Sequence, residues 1–115
     1  PLRSNSLLGG ARILIMVRYA YEVYPNKEYA GVHLSVKVPK MPSWISDKDA
    51  TPEGRKVKAA IEAIEGIEEA SSHGQCVRFK RGGAFTFDEL FPKVLAVLKV
   101  ELQLGDSLEE VPAYA

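Results

Sequence analysis

The chain has 115 residues, 15 basic and 15 acidic side chains and 46% apolar residues, enough for one buried core and too little for two domains of ordinary size. One cysteine excludes an internal disulfide framework and any CxxC metal knuckle, two histidines leave little for a metal site, and no apolar run approaches the ~20 residues of a membrane span. The net charge of zero weighs against a dedicated nucleic-acid binder, which is usually basic. It also hides a split, since residues 1–60 carry +5 and residues 61–115 carry −5, an asymmetry that can steer self-association.

Strong patterning begins near Met16. Residues 1–15 therefore read as a flexible or extraneous extension, with a single domain over 16–102. Val17, Tyr19, Tyr21 and Val23 alternate with Arg18, Ala20, Glu22 and Tyr24, the period of a half-buried strand. Pro25-Asn26-Lys27-Glu28 supplies turn chemistry. Val32, Leu34, Val36 and Val38 alternate with His33, Ser35 and Lys37, which predicts a second strand and a hairpin with one apolar and one polar face. Pro39 and Pro42 end that strand.

The next loop holds Met41, Trp44 and Ile45 between prolines. Exposed, these residues would make an interaction surface together with Tyr24; buried, they would cap one end of the core. Thr51-Pro52-Glu53 then opens a helix, with Thr as cap and Pro in the first turn. Val57, Ala60, Ile61 and Ile64 form its apolar stripe, and Gly66 marks its end. Ile67–Ser71 reads as a short strand, Ser72-His73-Gly74 as a turn, and Gln75–Lys80 as an alternating strand. Thr86-Phe87-Asp88-Glu89 matches a capping box. Phe87, Leu90, Phe91, Val94, Leu95, Leu98 and Leu102 follow helical spacing, with Pro92 near the start. Residues 103–115 are acidic and aperiodic and read as a tail. The expected fold is α+β with the order ββαββα, an antiparallel sheet with both helices packed on one face.

Three stretches carry a family resemblance: Ala63-Ile64-Glu65-Gly66-Ile67, Val77-Arg78-Phe79, and Phe87-Asp88-Glu89-Leu90-Phe91-Pro92-Lys93-Val94. From Thr51 to Leu98, under half of the chain, this pattern resembles the N-terminal domain of Nfu-type iron–sulfur scaffold proteins. The resemblance implies a similar small α+β packing. The family's Pro-Asn-Pro-containing first strand and its CxxC are absent here, so cluster assembly does not carry over.

Chemistry-bearing residues are few. Cys76 follows His73 by three positions, a spacing that invites a thiolate–imidazole pair, but no third orienting group lies nearby. No catalytic residue, metal or cofactor is expected, and the chain reads more as a binding protein than as an enzyme. Arg78-Phe79-Lys80-Arg81-Gly82-Gly83 is the one basic-aromatic cluster. It departs from the RNA-recognition signature where an aromatic should stack, and it lacks the GK[ST] of a P-loop. What remains is an anion site in which Arg81 and the amides of Gly82 and Gly83 hold a phosphate or carboxylate, extended across a polar sheet face by Arg18, Lys37, Arg78 and Lys80. The function expected from sequence is a small-ligand-binding or interaction module that forms homodimers. An anion- or nucleic-acid-binding domain and an enzyme with a cleft or interface active site are the alternatives. One free thiol and no N-x-[ST] acceptor point to the cytoplasm.

Overall fold

A computed structural model describes residues 16–43 and 48–112. The elements are β1 (Val17–Val23), β2 (Tyr29–Leu34), α1 (Pro52–Glu62), β3 (Ile67–His73), β4 (Cys76–Arg81), α2 (Phe87–Glu101) and β5 (Leu108–Glu110). They form one five-stranded sheet in the order β3-β4-β2-β1-β5. The two hairpins, β1–β2 and β3–β4, abut through β2 and β4, and all these pairings are antiparallel.

The sheet differs from the expected one at β5, which lies parallel to β1 with Val17 opposite Leu108 and Tyr19 opposite Glu110. The fold is therefore α+β with a mixed sheet and the order ββαββαβ. A parallel neighbour requires a crossover, and α2 supplies it. The segment read as a tail thus contributes a strand, and Leu104 and Leu108 pack against the core. Ser107 accepts from Val17 N at 3.0 Å, and Val111 N donates to the Tyr19 carbonyl at 2.9 Å.

Register explains the two faces. Val32 lies opposite Tyr21 and Val77, and Ala30 lies opposite Val23 and Phe79. Alternation then sends Val32, Leu34, Val77 and Phe79 toward the helices, where Val57, Ile61, Leu90, Val94 and Leu98 close a core of almost fully buried side chains. The remaining members of each strand form the outer face. β2 ends earlier than its alternation suggests, because Ser35 and Val36 bend the chain after Leu34; Val38 still returns to the core, and its N–H donates to the Gly74 carbonyl at 3.2 Å.

Both helices begin as their sequences predict. The Thr51 hydroxyl accepts from Gly54 N at 2.9 Å. In α2 the Thr86 hydroxyl accepts from Glu89 N at 3.2 Å while the Glu89 carboxylate accepts from Thr86 N at 2.9 Å. Those bonds hold the Glu89 carboxyl below its ordinary value. α1 stops at Glu62, four residues before the expected Gly66.

The free edge of β3 is blocked. Ala70 N donates to the Glu62 carboxylate at 2.9 Å, the Lys58 ammonium donates to the Ala70 carbonyl, and Lys58 and Glu62 pair at 2.8 Å one helical turn apart. One residue pair of α1 therefore occupies both backbone groups of Ala70. The Ser72 hydroxyl accepts from Met41 N at 2.9 Å. This edge is a poor template for pairing with a second chain. Residues 1–15, Trp44, Ile45 and residues 113–115 lie outside the described residues; the expectations for the extension and for the Trp-anchored surface fall partly there.

Candidate functional site on the outer sheet face

The outer face collects side chains in rows set by register. Ala20 lies opposite His33, His33 opposite Cys76, and Cys76 opposite His73. The next row is Glu22, Gly31, Arg78 and Ser71. One network crosses these rows. The Tyr24 hydroxyl lies 3.7 Å from Cys76 Sγ, that sulfur lies 3.9 Å from His33 Nε2, and the same Nε2 lies 2.7 Å from a Glu22 carboxylate oxygen.

Gly31 makes the network possible. A Cβ there would stand 2.8 Å from the Tyr24 hydroxyl and 2.9 Å from Cys76 Sγ. Gly31→Ala should therefore push Tyr24 off the thiol and destabilise the protein by about 1–3 kcal/mol, the usual cost of overpacking. Chemical denaturation together with the alkylation rate of the native thiol measures both effects; an unchanged rate and unchanged stability would contradict the assignment.

Cys76 is only 6% exposed. Burial pushes its thiol up, against the pull of the Tyr24 hydroxyl and Arg78. Burial likewise raises the Tyr24 phenol, reinforced by its bond to Cys76. The geometry is not that of a nucleophile–base–orienter relay, which uses two different ring nitrogens. Here the sulfur and the carboxylate converge on Nε2. A 2.7 Å contact with a carboxylate places the proton on that nitrogen, leaving it no lone pair to take the thiol's proton. The network holds its members in place rather than activating Cys76.

Two clefts flank it. The first, about 420 Å³, is walled by Arg18, His33, Ser35, His73, Gln75 and Cys76 among others, and none of the described residues in its wall is a carboxylate. The chain's single cysteine and both histidines thus meet in one cleft. The second, about 360 Å³, is walled chiefly by Tyr24, Asn26, Tyr29, Glu69, Ser71 and Arg78. Among the described residues no group of three His, Cys, Asp or Glu side chains is placed to hold a metal ion, and no helix is long and apolar enough to cross a membrane.

The basic residues singled out by sequence are dispersed. Arg18 is in the first cleft and Arg78 in the second. Lys80 is turned to Glu68 at 3.6 Å, and Lys37 is exposed beyond the end of β2, in neither wall. Arg81 has the parity of Phe79 and lies on the helix side, where its guanidinium stands 5.2 Å from the Phe87 ring centre and donates to the carbonyls of Lys27 at 3.0 Å and Phe85 at 2.9 Å. Gly82 N donates to the Gly66 carbonyl at 2.7 Å, so that amide is already engaged, and Gly83 is exposed beside it. Arg18, Arg78 and Lys80 share the outer face, whereas Arg81, an odd number of residues from Arg78, stands on the other side of the sheet. Met41 is 1% exposed and belongs to the core, not to a contact surface. Tyr24 is half-buried, its hydroxyl turned to the thiol.

Sequence proximity paired Cys76 with His73, whereas the imidazole in contact with the sulfur is that of His33. The parity of the strands held the signal that His33 and Cys76 could share a face; the β2–β4 neighbourhood that joins them did not appear in it. No family model matches the chain, and no curated protein or solved structure does either.

Proposed function

We propose that the protein is a non-enzymatic module that binds a small carboxylate- or phosphate-bearing ligand in the first cleft. The observation that carries this reading is a wall holding Arg18 and both histidines with no carboxylate among its described residues; the Glu22 carboxylate that holds His33 Nε2 at 2.7 Å lies outside it. The Ser35 hydroxyl accepts from Arg18 N at 2.8 Å, which leaves its own proton to donate, and the Gln75 amide adds further donors. A volume of about 420 Å³ lies within the range of small-ligand sites.

The convergence of sulfur and carboxylate on one His33 nitrogen weighs against a thiol enzyme. The dispersal of Arg18, Arg78 and Arg81 weighs against a nucleic-acid surface, which needs a continuous basic stripe. The opposite charges of the two halves of the chain support self-association, and the single reduced thiol supports a cytoplasmic setting. Sedimentation at high protein concentration tests the former: a dimer is expected, and a monomer throughout removes it.

Titrating inorganic phosphate into isotope-labelled protein should shift the backbone amides of Arg18, Ser35, His73 and Gln75. Arg18→Ala, an exposed position, should weaken binding about tenfold or more, as expected for loss of a charge-assisted hydrogen bond. No shift at the highest soluble phosphate concentration, or equal binding by the variant, would remove the proposal.

A further inference from the structure

We propose that the second cleft is a separate site for a zwitterionic α-amino acid bearing an aromatic side chain. Glu69 and Arg78 both belong to its wall. The register places Ser71 opposite Arg78 and Glu69 opposite Lys80, so Glu69 and Arg78 are diagonal neighbours on one face, about 7–8 Å apart at their Cα atoms. Despite opposite charge they make no ion pair with each other, and among the described residues neither has another. Lys80, the cation directly across from Glu69, is turned to Glu68 instead.

A cleft holding one unneutralised carboxylate and one unneutralised guanidinium discriminates against singly charged ligands. A simple anion gains Arg78 and meets repulsion from Glu69; a simple cation meets the reverse. A ligand with an ammonium and a carboxylate on one carbon satisfies both, and the guanidinium fork suits a carboxylate in two-point contact.

The opposite wall sets the side chain. Tyr24 and Tyr29 belong to its wall from the β1–β2 hairpin; Phe79 also borders it, but its ring points to the helix side, so the two tyrosines are the aromatic groups there. Aromatic rings there favour an aromatic or flat apolar group by offset or edge-to-face packing. Tyr24 is fixed in position by its hydroxyl's contact with Cys76. The Asn26 carbonyl oxygen is committed to the turn, accepting from Glu28 N at 3.0 Å and Tyr29 N at 3.3 Å, so it holds the hairpin rather than the ligand. A cleft of about 360 Å³ is sized for one such molecule rather than for a length of polypeptide.

This site does not rest on the anion reading of the first cleft, and its readouts are different residues. L-Phenylalanine is titrated into the full chain, alongside phenethylamine, which lacks the carboxylate, and 3-phenylpropionate, which lacks the ammonium. Amide shifts at Glu69, Ser71 and Arg78 and the tyrosine ring signals report occupancy. L-Phenylalanine should bind about tenfold more tightly than either single-charge probe. Arg78→Ala should abolish its advantage over phenethylamine, and Glu69→Gln its advantage over 3-phenylpropionate. Far-UV circular dichroism confirms that both variants fold. Equal affinity of the three probes, no shift at these residues, or shifts confined to the first cleft would overturn the proposal.

Discussion

Replacing Phe79 with alanine should destabilise the protein by about 3–5 kcal/mol, the largest effect expected from any single side chain. Phe79 is 1% exposed at the centre of the sheet's inner face. It meets Phe87 and Phe91 edge-on, with ring centres 5.8 and 5.7 Å apart, and Phe91 in turn stacks on Tyr21 at 4.2 Å. One substitution therefore removes the ring that joins β4 to the start of α2 and leaves a cavity that aromatic neighbours fill poorly. A domain of this size has roughly 5–15 kcal/mol to lose, so the variant should sit near its unfolding threshold. Chemical denaturation should show a lowered midpoint with an unchanged slope, and the melting temperature should fall by roughly 10–20 °C. Val100→Ala is the control: Val100 is 72% exposed on α2, and its loss should stay within about 0.5 kcal/mol. A Phe79→Ala loss no larger than that of the control would mean that this ring does not organise the core.

Gly54→Ala carries the second large effect, and here the structure reverses the sign that helix propensity gives. Gly54 lies in the first turn of α1, where alanine is favoured over glycine by about 1 kcal/mol. A Cβ at Gly54 would, however, stand 1.8 Å from the Lys40 carbonyl oxygen and 3.1 Å from Met41 N. The obstacle is backbone. It cannot swing aside freely, because the Lys40 carbonyl accepts from Thr51 N at 3.1 Å and the next residue, Met41, is buried. The helix would have to lift off the segment that leads into it, disturbing the Thr51 cap as it moves. A net loss of about 2 kcal/mol or more is expected, measured by thermal or denaturant unfolding. Ala59→Gly, at an exposed position of the same helix, should cost about 1 kcal/mol through propensity alone. A Gly54→Ala protein as stable as the parent would show that the 40–41 segment gives way and does not clamp α1.

Both effects converge on a functional consequence. Met41 N is held by Ser72 on β3, and Ser71 beside it forms part of the second cleft. Loosening α1 from Lys40 therefore loosens one wall of that cleft. The outer face is polar and lightly covered, so its geometry depends on a rigid sheet beneath it, which the helices and the Phe79 cluster supply.

The elements themselves were legible from local pattern. Alternation placed β1, β2 and β4, and it correctly set Val77 and Phe79 on the side of Leu34. The caps Thr51 and Thr86 marked both helix starts, since capping is decided by two or three adjacent residues. β5 was not legible: Leu108–Glu110 is three residues long with two glutamates, too short for any periodicity to show, and it becomes a strand only because β1 offers unpaired backbone groups beside it. Arg81 parts from the basic residues of the outer face for a related reason. Arg78, Lys80 and Arg81 are close in sequence, but successive strand residues point to opposite sides, and Arg81 found acceptors and a ring on the helix side.

Which residues are apolar on each side of a strand or helix can be read from the chain alone, because those preferences follow from the backbone repeat and from burial of apolar area. That β2 lies beside β4 emerges only from long-range packing, and this one neighbourhood brings His33 and Glu22 to Cys76 while Arg18 and Arg78 fall in different clefts. Strand order is set by long-range packing among residues distant in the chain, and local periodicity carries no record of which ribbon will be the neighbour.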